Sequence, residues 1–216
     1  MSIIEQETSG ATYFILGNEA IARGALESEV QFATGYPGTP SSEILQTLID
    51  ASNRTNIHAE WSINEKVATE KAAAAAVAGL RTMSVMKNAG LSVALDFITH
   101  LSYSGLGTRG GAMVVVVCDD PDAHSSGDET DSRWLAKFAC VPMLEPRTAQ
   151  EGLDMVKYAF ELSEELRHVV LLRGYTRLSH SSGAVQFGQL PAFDRKAYSN
   201  PSDFINRVPS NISTKD

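Results

Sequence analysis

Met113-Val114-Val115-Val116-Val117-Cys118 is the stretch on which the fold turns. Its residues are apolar at odd and even positions alike, so a strand here must be covered on both faces. That is the mark of a central strand in a parallel sheet with helices on each side. Upstream, residues 91–103, 62–80, 40–52 and 19–29 read as helices, separated by short strands at 82–86, 57–61, 30–34 and 11–16. Downstream, 131–139 and 148–166 read as helices, with strands at 143–145 and 168–173. Such alternation implies right-handed βαβ crossovers and a three-layer, doubly wound, mostly parallel α/β sheet. After about residue 180 the composition turns to Pro, Ser, Asn and Gly with no sustained period. Residues 1–180 are therefore read as one domain and 181–216 as an extended C-terminal tail or linker.

Charge and cysteine content narrow the function. The 216 residues carry 26 acidic and 18 basic side chains, a net charge of −8. A nucleic-acid backbone needs a basic face, so that class of partner is not expected. An anionic cofactor can still be held by backbone amides. Two cysteines, Cys118 and Cys140, cannot make a disulfide framework, a zinc ribbon or an iron–sulfur ligand set, and their apolar surroundings predict two reduced core residues. The N-terminus lacks the layout of a signal peptide, and no apolar run reaches the ~20 residues that span a bilayer. A cytoplasmic protein without membrane contact is expected. The five histidines show no metal-ligand spacing, so no metal is expected on this chain.

Several motifs admit a structural and a functional reading. Gly105-Leu106-Gly107-Thr108-Arg109-Gly110 has the letters of a dinucleotide fingerprint but follows a helix and feeds a strand. The fingerprint needs the reverse order, so a turn is expected. Ser62-Ile63-Asn64-Glu65 has the form of a capping box, with Ser62 accepting from the Glu65 N–H. Glu65 alternatively faces a cleft at a strand-to-helix junction and binds a heterocycle. Pro40 behind Thr39 signals a helix start. Thr39 also stands at the carboxyl end of a strand, the edge where open α/β sheets hold ligands. Ala72 to Ala76 reflect either helix propensity or close packing against another domain or subunit. The acidic loop Asp119 to Asp128 lacks the residues that would complete a thiamine-diphosphate magnesium motif, so the chain carries no diphosphate site of its own.

At these junctions the sequence resembles the thiamine-diphosphate-dependent 2-oxoacid:ferredoxin oxidoreductases, in particular the N-terminal part of the large (alpha) subunit of the indolepyruvate:ferredoxin enzymes. GNEAIARGALES, ATGYPGTPSSEI, EWSINEKVA, MKNAGLSVA, CDDPDAHSSGDETDSR and LLRGYTRLSHS carry the resemblance, in the same order, over roughly residues 17–182. YPGTPSSE together with WSINEK is its most specific part.

The resemblance implies a pyrimidine-binding (PYR) domain, which contributes half of a thiamine-diphosphate site. The family's glutamate toward the aminopyrimidine ring matches Glu65. Thr39 matches a threonine near the substrate, and Tyr36, Pro37, Gly38 and Asn88 fall on the cofactor side. His124, Ser125, Ser126 and Arg133 match the loop on the substrate side. The implied reaction is oxidative decarboxylation of an aryl 2-oxoacid to an acyl-coenzyme A. Magnesium, [4Fe–4S] clusters and coenzyme A belong, in that scheme, to a partner diphosphate-binding domain or subunit and a ferredoxin or ferredoxin-like domain. Oligomers are expected, and the chain alone is expected to be inactive. The rival expectation is a non-catalytic interaction or regulatory module that keeps the fold.

Overall fold

A computed structural model describes residues 3–6 and 9–198 of the chain. Among the described residues there are eight strands: β1 (Thr12–Leu16), β2 (Phe32–Gly35), β3 (His58–Trp61), β4 (Arg81–Lys87), β5 (Ala112–Asp119), β6 (Met143–Leu144), β7 (Val170–Tyr175) and β8 (Ser182–Gln186). Seven α-helices separate them: α1 (Gly17–Glu27), α2 (Ser42–Ser52), α3 (Glu65–Val77), α4 (Asn88–Ser104), α5 (Ser132–Phe138), α6 (Ala149–Leu166) and α7 (Thr176–His180). Six strands form one parallel sheet in the order β3-β2-β4-β5-β7-β6. All eight residues of β5 are buried, as its two apolar faces demand.

Alternate residues of β5 belong to different cores. Val114, Val116 and Cys118 pack with Ile21, Leu45 and Phe160 of α1, α2 and α6. Met113, Val115 and Val117 pack with Ala72, Leu91 and Ala136 of α3, α4 and α5. The small side chains Ala68, Ala72, Ala73 and Ala76 of α3 are buried inside the chain itself, where α3 packs against α4 and the sheet. Burial pushes the Cys118 thiol up to about 12, so it remains a neutral core group.

The structure departs from the sequence reading in several places. β1 is not part of the parallel sheet; it pairs antiparallel with β8, which lies in the segment read as tail. β1 shows one buried residue in five and Phe14 is 74% exposed, so it cannot serve as an inner strand. Cys140 is exposed, because the chain turns there through a left-handed φ of 56° just after α5. The bond from Thr39 to Pro40 is cis, and α2 begins at Ser42, not at Pro40. Ser62 does not cap α3: Asn64 does, accepting from the Val67 N–H at 2.8 Å. The Ser62 hydroxyl is instead buried against that of Thr34, at 2.9 Å. The glycine-rich turn after α4 leads into β5 at the amino edge of the sheet.

Arg23 fastens the two ends of the described chain. Fully buried on α1, it donates to the carbonyls of Ile4, Gln6 and Gly188, each at 2.7 Å, and pairs with Glu27 at 2.9 Å. Its guanidinium lies 4.2 Å over the Phe187 ring, just after β8. Beyond it, the Asp194 and Arg195 N–H groups donate to Glu29 and the Tyr198 N–H donates to the Ala78 carbonyl. The described part of the C-terminal segment is thus extended and packed on the body. Among the described residues no helix is long and apolar enough to cross a membrane.

Candidate active site

β2 leads into α2, on the face shared with α1 and α6, whereas its neighbours β3 and β4 lead into α3 and α4 on the opposite face. Helices therefore diverge from adjacent strand ends around β2, which opens a crevice at the carboxyl edge of the sheet. Ligands of open α/β sheets bind at such switch points. The turn after β2 (residues 36–40), the start of α3 and the start of α4 all lie at this edge, with the loop after β5 beside them.

Glu65 is the first residue of α3 and half-buried. Because Asn64 makes the cap, the Glu65 side chain is released from capping. Among the described residues its carboxylate makes no hydrogen bond or ion pair, and its stem lies against the backbone of Gly90 on α4. A Cβ at Gly90 would sit 2.5 Å from Glu65 Cγ and 2.6 Å from Oε1. Gly90 is thus the cradle that fixes where the carboxylate stands. Gly90→Ala is expected to leave the fold intact, since alanine favours helix by about 0.5–1 kcal/mol, while forcing Glu65 to swing away. The check is a melting temperature within a few degrees of wild type, together with at least tenfold weaker thiamine-diphosphate binding by the assembled complex.

Asn88, the first residue of α4, is fully buried, and among the described residues neither its side-chain oxygen nor its nitrogen has a partner. Buried amides are satisfied in nearly all folded proteins, so an orphan of this kind calls for a partner from outside the described chain, an ordered water or a polar ligand. A half-buried carboxylate without a partner, its glycine cradle and a buried orphan amide fit the edge of an aminopyrimidine, which offers both donors and acceptors.

The 36–40 turn is more exposed. Tyr36 is 41% exposed and its N–H donates to the Val85 carbonyl at 3.3 Å. Pro37 and Thr39 are exposed and Gly38 is half-buried under the stem of Lys87. Asn18 of α1 holds the turn from below, donating to the Pro40 carbonyl at 2.7 Å.

The loop after β5 is held by its own acids. Asp119 binds Arg173 at 2.6 Å and the Ser132 hydroxyl and N–H. Asp120 accepts from the Ser125 N–H (2.7 Å), the Thr176 hydroxyl (2.8 Å), and the hydroxyls of Ser126 (3.0 Å) and Ser125 (3.2 Å). Burial opposes its charge, but those donors outweigh burial and hold its carboxyl at about 2. The Ser125 hydroxyl also reaches the Thr39 carbonyl at 3.4 Å, which joins this loop to the turn after β2. Ser125 and Thr39 are therefore brought together. His124 is exposed on the same loop. Arg133 is on the first turn of α5, its guanidinium held by Asp131 at 2.8 Å, and among the described residues no hydrogen bond or ion pair joins it to the 36–40 turn.

A depressed carboxyl contributes stability above its unfolded pKa and loses it as pH falls through the folded one. Asp120 should therefore add on the order of 2 kcal/mol near neutrality, falling away from about pH 4 toward pH 2. Asp120→Asn is expected to lower the thermal midpoint at pH 7, and the gap to wild type should narrow at pH 3. A gap independent of pH would show that the loop is not held by this charge.

Gly90 and Asp120 were not legible as site residues: one sits within a helix, the other in an ordinary-looking acidic turn. A cavity of about 540 Å³ lined by Glu5, Arg54, Gln189 and Phe193 opens at the amino edge, away from this crevice.

Comparison with known proteins adds four findings. Residues 23–203 match the family model described as the thiamine-diphosphate-binding part of pyruvate flavodoxin/ferredoxin oxidoreductases. The chain is 49% identical over 189 residues to the indolepyruvate oxidoreductase subunit IorA of Pyrococcus abyssi, covering 88% of this chain and 29% of that one. It is 30% identical over 180 residues to the 2-oxoglutarate synthase subunit KorA of Methanothermobacter thermautotrophicus, covering 78% and 46%. A solved 2-oxoglutarate:ferredoxin oxidoreductase from Magnetococcus marinus superposes with a TM-score of 0.72 at 16% identity, over 89% of this chain and 34% of that one. The chain thus spans under a third of the length of the IorA relative.

Proposed function

The chain belongs to the thiamine-diphosphate-binding family of the pyruvate flavodoxin/ferredoxin oxidoreductases, and on that premise we propose that it is the pyrimidine-binding half of an aryl 2-oxoacid:ferredoxin oxidoreductase. The single observation that carries the assignment of roles is the Glu65 carboxylate, unpartnered among the described residues and cradled by Gly90, at the same sheet edge as the orphaned amide of Asn88. Thiamine diphosphate, when bound, supplies the carbon nucleophile and electron sink for decarboxylating a 2-oxoacid.

In this reading Glu65 holds a proton at the ring nitrogen of the aminopyrimidine and so sets the tautomer that is competent for reaction. Gly90 fixes its reach, and Asn88 meets the polar edge of the same ring. Tyr36, Pro37 and Gly38 shape the wall of the crevice, and Thr39 stands on the substrate side with Ser125. His124, Ser126 and Arg133 complete that side once a partner surface closes over it. The domain read as residues 1–180 also takes in β8 and the segment packed behind it, and the rest of 181–216 leads toward the next one. The diphosphate, its magnesium, the iron–sulfur clusters and coenzyme A are met by partner domains or subunits, in keeping with the IorA relative being more than three times as long as its matched part.

The test is reconstitution with a partner that carries a diphosphate-binding domain and iron–sulfur clusters. Turnover of indolepyruvate or phenylpyruvate with coenzyme A and reduction of ferredoxin supports the reading. A well-folded complex that takes up no thiamine diphosphate rejects it in favour of a non-catalytic module.

A further inference from the structure

Lys87 sits at the centre of this edge and has no role in the assignments above. It is the last residue of β4 and the residue before α4. Its stem is laid down firmly: a Cβ at Gly38 would come within 2.8 Å of Lys87 Cδ and 2.9 Å of Cγ. Its ammonium is therefore directed between the turn after β2 and the loop after β5, where the Ser125 carbonyl lies at 3.3 Å. Among the described residues no carboxylate pairs with it. The neighbouring cations are committed, Arg173 to Asp119 and Glu145, and Arg133 to Asp131.

The helix behind this lysine points the same way. A lysine cannot accept hydrogen bonds, so no side chain caps the 17-residue α4, and its first turn holds no acid. Its free N–H groups and partial positive charge favour an anion at this edge.

We propose that Lys87 binds the carboxylate of the 2-oxoacid substrate, a positioning and specificity role that rests on the reading above. An anion anchor in a decarboxylase must not be too strong. Tight binding of the carboxylate would stabilise the ground state, which the departure of carbon dioxide must then overcome. A single ammonium, half in water and without a bidentate fork, attracts and orients without such a trap.

The test uses the assembled complex with Lys87→Met, which keeps the stem over Gly38, and Lys87→Arg, which keeps the charge. Phenylpyruvate is titrated into complex loaded with an unreactive thiazolone analogue of the cofactor, and KM and kcat are measured separately with the native cofactor. The methionine variant is expected to weaken both Kd and KM at least tenfold, to flatten their salt dependence, and to change kcat no more than about threefold. The arginine variant should recover most of the loss. Unchanged Kd and KM in an active methionine variant overturn the proposal, as does a shift confined to the KM of coenzyme A. A wild-type complex that takes up no thiamine diphosphate removes the underlying reading and this inference with it, and is told apart by the cofactor titration alone.

Discussion

Replacing Glu65 by alanine in the assembled complex is expected to lower 2-oxoacid turnover on the order of 10²–10⁴-fold, with thermal stability almost unchanged. The two halves of that expectation come from different observations. The loss of activity follows from a carboxylate that stands at the switch-point crevice with no partner among the described residues. The retained stability follows from the cap. Had Ser62 and Glu65 formed a capping box, alanine would cost about 0.5–2 kcal/mol. Asn64 caps α3 through Val67, so Glu65 is relieved of that duty. Glu65→Gln separates the roles further, because an amide keeps the shape but cannot exchange the proton. Steady-state kinetics with phenylpyruvate, beside calorimetric melting of the same preparations, decide the matter. A fully active alanine variant would end the assignment. A variant that melts many degrees lower would instead return Glu65 to a structural part.

The large features of this fold were legible because each is local and repeated. β5 announces itself by being apolar on both faces, and the strands and helices around it by their alternation. The sequence also placed Thr39 and Glu65 at strand ends, which in a doubly wound sheet is where ligands bind. What escaped was settled by contacts between distant residues. Ser62 and Asn64 are both able to cap, and the choice falls to Asn64 because Thr34 holds the Ser62 hydroxyl. β8 carries a single buried residue and gains its order from β1 at the other end of the chain. Cys140 has apolar neighbours in sequence but is turned outward by its backbone. The cradle of Glu65 is an approach between α3 and α4 that no periodicity encodes, and the commitment of Asp120 to its own loop is visible only once Ser125, Ser126 and Thr176 converge on it.

The same dependence on distant contacts makes Arg23 the position where one substitution should cost the most stability. Arg23→Met is expected to destabilise the protein by about 3–5 kcal/mol, as when one partner of a buried ion pair is removed. The guanidinium is fully buried and Glu27 beside it has a side chain 1% exposed. Its loss would take the donor from the carbonyls of Ile4, Gln6 and Gly188, the first of them fully buried. Glu27 would keep Lys157 at 2.8 Å and the Gly188 N–H at 2.6 Å, so its charge is not wholly abandoned. The double variant Arg23→Met, Glu27→Met should therefore recover only part of the loss: the ion pair is removed as a unit, but the three carbonyls remain unmet. Denaturant unfolding of both variants checks this. Because Arg23 binds the chain ends and not the crevice, the properly folded fraction of either variant should keep the wild-type affinity for thiamine diphosphate. A selective loss of that affinity without loss of stability would mean that the ends of the chain are coupled to the site by a route other than folding.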